Sequence, residues 1–354
     1  MKKDNVLKIF LSSSLLISFI LIFLFVTKPH YFYIIAPNLK YKIFYINYNM
    51  HSFFDTENKR SLLLLPNEKV SNKAFASVVK LENSYRIYYA GKNHSNNDKY
   101  TIYMEESKNI DEIKYSKEIK IFDPIDANAK TQVWMPYVFI YKEKYYMIFT
   151  ARSGDYNTEN YIENIRLASS ENGLNWKIIY DPILNPILDW EGLEVENWGI
   201  IKHGDYFYMN YESRGPSRMQ INRSIGFARS NDLLKWERIE KIPILKKSEY
   251  CASFFKYKNS IFMIVPNNNT FRIYKAPNVE SITQKSFIGF WNPYGNDNKQ
   301  TYDSPEVITN NIYKEIRENS KFKIVFSTYI AEIGWITEFI EFENMNEFLS
   351  VISK

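Results

Sequence analysis

"YVFIYKEKYYMIFTAR", residues 137–152, is two short apolar and aromatic runs joined by the polar triplet Lys142-Glu143-Lys144. Each run is too short for a helix and the joint is of turn type, so the stretch reads as a β-hairpin. The pattern recurs four more times: "SVVKLENSYRIYYAGK" from Ser77, "GIIKHGDYFYMNYESR" from Gly199, "SFFKYKNSIFMIVPNN" from Ser253 and "EVITNNIYKEIRENSKFKIVFSTY" from Glu306. Two repeats continue into a further strand and a tryptophan turn, "IRLASSENGLNW" ending at Trp176 and "IGFARSNDLLKW" ending at Trp236. A four-stranded unit of this size cannot bury its own faces, whereas five arranged radially can. The expected fold is therefore all-β, a five-bladed β-propeller of four-stranded antiparallel blades beginning near residues 74, 134, 196, 250 and 303.

Composition agrees with this reading. The 354 residues are 45% hydrophobic, enough for one large β domain or two smaller ones, and the 28 Tyr and 25 Phe favour strands. Residues 31 to about 70 carry "YFYII", "YKIFYINY" and "SLLLL", and the tail carries "WITEFIEF"; either could supply the strand that closes the ring. The expected organisation is an anchor over residues 1–30, a connecting segment over 31–70 and the propeller over 71–354.

The anchor is read from Lys2, Lys3 and Lys8, which flank "IFLSSSLLISFILIFLFV", residues 9–26, eighteen positions without a charge. That length just spans a bilayer as one transmembrane helix, and "FVTKPHYF" offers no small-x-small cleavage site. The lysines predict a cytoplasmic N-terminus and a propeller outside the cytoplasm; secretion after cleavage is the alternative. Cys251 is the only cysteine, so no internal disulfide can form. Setting residues 1–29 aside leaves 41 basic against 39 acidic side chains, a balance that does not suggest a nucleic-acid partner. His30, His51, His94 and His203 show no metal-ligand spacing, and no phosphate loop or nucleophile elbow is present, so neither a metal nor a cofactor is expected.

The blade pattern, "WMP" at Trp134 to Pro136, and the two S-x-[DN]-x-x-x-W turns at Ser170–Trp176 and Ser230–Trp236 resemble the five-bladed furanosidase-type propellers over roughly residues 70–340. That group includes glycoside hydrolase family 43 and its invertase, levansucrase and family 130 phosphorylase relatives. The family 43 resemblance implies three carboxylates at the central funnel: a base from blade one, a tuning Asp from blade two and an acid Glu from blade three. Glu196 matches the third. Tyr137 stands where the second is expected, and Phe75-Ala76 where the first is. In the fifth repeat, "DSPEV" puts Asp303 in the slot of Glu196 and Glu306 in the slot of Tyr137, so these two are candidates for the second carboxyl an acid–base mechanism needs. Asp303 could equally be a turn aspartate holding backbone N–H groups. Asp126, Glu194 and Glu249 are less well placed.

Lys92, Arg152 and Arg214 end the second strand of three successive hairpins at one register, which predicts a cationic rim near Glu196 able to bind an anionic or phosphorylated glycan. Structural ion pairs with Glu194, Glu196, Asp155 or Asp205 are the alternative. Arg218 and Arg223 have no repeat partner and read as surface charges. Trp134, Tyr137 and Trp198 precede or begin inner strands and could line the sugar site. The functions to weigh are a membrane-anchored glycan-active enzyme, hydrolase or phosphorylase, with Glu196 as proton donor, and a non-catalytic propeller that binds or guides envelope polysaccharide.

Overall fold

The computed structural model describes residues 60–353 except 68, 95–98, 155–160, 216–222, 249–251, 268, 294–300, 310–311 and 331–333. Five antiparallel sheets stand around one axis. Their inner strands are Val70–Lys80, Gln132–Tyr141, Glu196–His203, Ser253–Tyr257 and Thr301–Val307, close to the blade starts expected from the repeats. In blade three the outer strand is split into Glu237–Arg238 and Leu245–Ser248.

Ring closure is resolved in favour of the N-terminal side. Arg60–Leu64 pairs antiparallel with Gly334–Phe342 as the outermost strand of blade five, so the tail "WITEFIEF" is the third strand of that blade and not its closure. The propeller thus begins at least as early as Arg60, and closure leaves the first and last blades tied by non-local pairing. The expected anchor, residues 9–26, lies outside the described residues; among those described, no helix is long and apolar enough to cross a membrane.

Packing follows from alternation. Each sheet presents apolar residues on both faces, and the hydrophobic clusters lie between neighbouring blades. Phe139, Ile148 and Leu167 of blade two meet Ile200 and Phe207 of blade three, and Phe255, Phe262 and Ile273 of blade four meet Tyr302, Ile324 and Phe326 of blade five. The tryptophan turns are built alike. Ser170 Oγ accepts from Gly173 N–H at 2.9 Å and Asn172 Oδ1 from the Leu174 and Asn175 N–H groups at 2.9 Å, while Ser230 and Asp232 do the same for Leu233, Leu234 and Lys235. Each indole N–H then donates back into its own turn, to Gly173 O at 3.1 Å and Leu233 O at 2.9 Å.

Four inner strands are bulged near their start, with one extra residue in blades two, three and five and two in blade one. Phe75, Met135 and Ser304 occupy the same bulge position in blades one, two and five, with φ of 56°, 53° and 54°. Left-handed backbone at a non-glycine residue costs on the order of 1–3 kcal/mol, and a bulge re-aims the side chains beside it.

The segment that follows the inner strand of blade five bonds to the inner strands of blades three and four: the Ile312 carbonyl accepts from Lys202 N–H at 3.0 Å and the Lys314 carbonyl from Lys256 N–H at 2.9 Å. Glu315–Ile316 adds in parallel to the inner strand of blade four.

Candidate functional site

Register defines the site before any side chain is considered. Ala74, Trp134, Glu196 and Asp303 are equivalent, lying opposite Ala90, Thr150, Glu212 and Ser327 on the second strands. Asp303 and Glu196 therefore share a slot, as the sequence predicts, and Glu212 joins them because it is the direct cross-strand neighbour of Glu196. Two residues further along the second strands stand Lys92 and Arg152, paired across to Tyr100 and Glu163 of the third strands.

Five buried carboxyl groups, Glu163, Glu194, Glu196, Glu212 and Asp303, gather here with Arg152, Arg214 and Arg223. Arg223 donates to Glu196 Oε2 and to Glu212 Oε1 through one guanidinium nitrogen. Arg152 pairs with Glu163, and Arg214 with Glu194 at 3.2 Å. The Tyr161 hydroxyl lies 2.9 Å from Glu163 Oε1 and 2.8 Å from Glu194 Oε2. Asp303 Oδ1 accepts from the Ser304 N–H at 2.6 Å and hydroxyl at 3.1 Å.

This environment separates the acids. Burial alone would raise Glu196, but the Arg223 guanidinium, a hydrogen bond from Glu163 and the Arg214 charge hold it well below the usual carboxylate range. Burial pushes Asp303 up to about 7 against the pull of Arg223 and the Ser304 hydrogen bonds, with the Glu196 charge adding to the rise. Glu163 is pushed well up by burial and by Glu196, and Glu212 by burial and by the Glu196 and Asp303 charges, against Arg223.

The other expected site residues fall into two groups. Trp134 is at the rim, 9% exposed, with the Arg152 guanidinium 4.1 Å from its ring centre and Tyr100 edge-on at 5.6 Å. Lys92 lies over the Tyr100 ring at 5.5 Å. Trp198 is fully buried, donating its indole N–H to Pro305 O at 2.9 Å and packing against Phe75 and Tyr137, so it presents no free face. Tyr137 is also fully buried, its hydroxyl reaching the Ile200 carbonyl at 3.3 Å. Glu306 belongs to a separate axial network: Lys314 Nζ at 2.7 Å, Val78 N–H at 2.8 Å and Ser77 Oγ at 3.4 Å. Asp126 is an exposed turn residue near Lys120; Glu249, Asp155 and Arg218 lie outside the described residues.

Arg223 is corrected outright. Its side chain is 8% exposed and it is the counter-charge at the centre of the cluster, not a surface cation. Glu163 and Glu212, which no motif in the chain marks, are buried in the same cluster, and so is Glu194, which the chain places less well. The repeat marks their place but not their chemistry: Tyr100, Glu163 and Trp335 share one third-strand slot, opposite Lys92, Arg152 and Tyr329, and Arg223 lies just beyond Ser224 at the corresponding point of blade three. Among the described residues no group of His, Cys, Asp and Glu is arranged to hold a metal ion.

The fold defines a class, the five-bladed β-propeller. Similar solved structures include the catalytic domain of the Coprinopsis cinerea GH62 α-L-arabinofuranosidase, at 9% identity and TM-score 0.58, covering 80% of this chain and 96% of that one. A family 117 glycoside hydrolase from Zobellia galactanivorans matches at 12% identity and TM-score 0.57, over 78% of this chain and 86% of that one. The Bombyx mori GH32 β-fructofuranosidase matches at 13% identity and TM-score 0.54, over 80% of this chain and 61% of that one. These likenesses are likenesses of fold. No family model matches the chain, and no curated protein matches it by sequence.

Proposed function

We propose that this chain is a glycan-active hydrolase whose two working carboxyls are Glu196 and Asp303. The observation that supports the reading is their pairing: equivalent slots of blades three and five bring together one acid held ionised by Arg223 and one pushed up to about 7. Acid and base roles are assigned by environments that drive two carboxyls apart in this way. Asp303 is then the proton donor to the leaving oxygen and Glu196 the ionised partner, the reverse of the role Glu196 takes from the family resemblance alone. Similar structures were solved with xylotriose and with cellotriose, which supports an oligosaccharide as ligand.

Trp134 supplies an aromatic edge at the rim of this site. Of the three rim cations, Arg152 and Arg214 each face a carboxyl group, and Lys92 lies over the Tyr100 ring. An uncharged glycan therefore suits the site better than the anionic one that Lys92, Arg152 and Arg214 suggest in sequence. With the lysine-flanked apolar run at residues 9–26, we place this activity outside the cytoplasm on a membrane anchor.

The test is turnover of neutral oligosaccharides and aryl glycosides by wild type, Asp303→Asn and Glu196→Gln. General acid catalysis contributes roughly 10²- to 10⁴-fold, so Asp303→Asn should lose that much on poor leaving groups and much less on activated aryl glycosides. Equal turnover by all three proteins would sink the assignment. A second reading, a propeller that binds glycan without cleaving it, is favoured by the burial of Glu196 at 0% and Asp303 at 2% exposure. Tight binding of an oligosaccharide with no cleavage would decide for it.

A further inference from the structure

Two residues along the strands from Asp303, a second layer of side chains crosses blades five, one and two, and its chemistry differs from that of the acids. Cross-strand pairing lines up Thr301, Tyr329 and Trp335 in blade five with Ser71, Lys92 and Tyr100 in blade one. The same layer of blade two holds Gln132 and the Arg152–Glu163 pair, so every inner-strand member is polar and uncharged. The aromatic rings form one arc. Tyr329 meets Trp335 at 5.4 Å between ring centres, Trp335 meets Phe75 at 6.3 Å, Phe75 meets Tyr100 at 6.3 Å and Tyr100 meets Trp134 at 5.6 Å. The blade-five end is fixed to blade one: Trp335 N–H donates to Asn72 Oδ1 at 3.2 Å, and Phe75 N–H to Ser327 Oγ at 3.1 Å. Exposure grows along the arc, from Tyr100, Phe75 and Trp134, which are nearly buried, through the half-buried Trp335 to Tyr329 at 42%.

Core packing accounts for the inner rings, but an aromatic side chain left nearly half in water gains little from the fold, and open aromatic surface continuous with a polar site marks a place where a ligand lies. A sugar unit offers a flat C–H face to an aromatic ring and hydroxyls at its edge to uncharged polar side chains. We propose that the arc across blades two, one and five binds the outer units of a neutral oligosaccharide, with Trp335 and Tyr329 as its far end. Charge supports both the ligand class and the direction. Blades five and one bring no carboxyl into this layer, Lys92 is laid over the Tyr100 ring at 5.5 Å, and Arg152 is matched by Glu163. On the other side, blade three brings Glu194 and Arg214, a charged pair with no ring to stack on. The glycan chain then leaves Glu196 and Asp303 toward blades one and five. This surface continues the glycan site proposed above and depends on that reading.

The test is calorimetry of the full-length chain carrying Asp303→Asn, so that cleavage does not consume the ligand, with neutral cello-, xylo-, arabino- and fructo-oligosaccharides from disaccharide to hexasaccharide. Affinity should rise with length. Trp335→Ala and Tyr329→Ala should each lower it roughly tenfold for the longest members of the series that binds and leave its disaccharide unchanged. Trp335→Phe and Tyr329→Phe keep a ring and should retain most of the affinity. Tyr329→Ala, at an exposed position, should melt close to its parent, so it decides the matter even where Trp335→Ala does not fold. Equal binding by the parent and by Tyr329→Ala overturns the proposal, as does a panel from which nothing binds, or a uronic-acid oligosaccharide held more tightly than every neutral one. Turnover by the wild-type chain is read separately. Cleavage with no effect of Tyr329→Ala on binding removes the arc and keeps the hydrolase, whereas length-dependent binding without cleavage keeps the arc and removes the hydrolase.

Discussion

Glu196 and Glu212 stand directly opposite each other on adjacent strands of blade three, and one guanidinium nitrogen of Arg223 bonds to both. Burial and the Glu196 charge push Glu212 well above the usual carboxylate range, against Arg223, so Arg223 chiefly balances an ionised Glu196. Arg223→Met should cost roughly 3–5 kcal/mol in urea unfolding at pH 7, the loss expected when one partner of a buried ionic group is removed. Part of it should return at about pH 5, where the stranded Glu196 can take up a proton. A loss below about 1 kcal/mol, the range of an exposed pair, would show that the cluster is open to water.

Asp303 sets a pH dependence of stability. Its folded value, about 7, lies above that of an unfolded aspartate, about 3.9. The folded state therefore binds this proton more tightly, and the contribution is full below about pH 4 and lost as pH rises through 7. Asp303→Asn cannot titrate, so the stability of the wild type relative to it should fall between these limits, by at most about 4 kcal/mol. Parallel stability curves for the two proteins would mean that Asp303 titrates normally.

Glu306 and Lys314 should behave as a structural pair. Both are fully or nearly fully buried, and they join blade five to the backbone of blade one at Val78. Glu306→Gln leaves the Lys314 charge without its counter-ion and should cost roughly 3–5 kcal/mol, whereas Glu306→Gln with Lys314→Met should recover most of that. Glycan turnover measured well below the melting temperature should be unchanged in the double variant. A selective loss of turnover would restore Glu306 as a candidate for the site.

Trp134 and Trp198 should separate by assay. Trp198→Ala removes a fully buried indole and its bond to Pro305, and should cost roughly 3–5 kcal/mol. Trp134→Ala, at the rim beneath Arg152, should cost less in thermal unfolding and more in oligosaccharide affinity measured by calorimetry. Equal effects of the two in both assays would remove Trp134 from the ligand site.

Gly199 reports how closely blades three and four pack. A Cβ there would fall 2.5 Å from the Ala252 carbonyl oxygen, a backbone atom that cannot step aside. Gly199→Ala should therefore lower the melting temperature by several degrees, the scale of about 1–2 kcal/mol in a chain of this size. An unchanged melting curve would mean that the two blades can move apart at no cost.

The propeller was legible in the chain because a hairpin is local: two alternating runs and a turn carry their own register, and five copies announce the ring. The equivalence of Glu196 and Asp303 was legible for the same reason, since equal offsets within a repeat become equal positions around the axis. Local pattern could not choose between "SLLLL" and "WITEFIEF" for closure, because both are plausible strands and only the pairing of Arg60–Leu64 with Gly334–Phe342 distinguishes them. Nor could it find the partners of Glu196. Glu163 and Arg223 come from third strands whose corresponding positions elsewhere hold Tyr100 and Trp335, so the repeat conserves the place and changes the chemistry. Which acid meets which guanidinium is decided when blades two, three and five converge on one axis. Burial there then sets the charges, raising Asp303 and Glu163 while Arg223 holds Glu196 down.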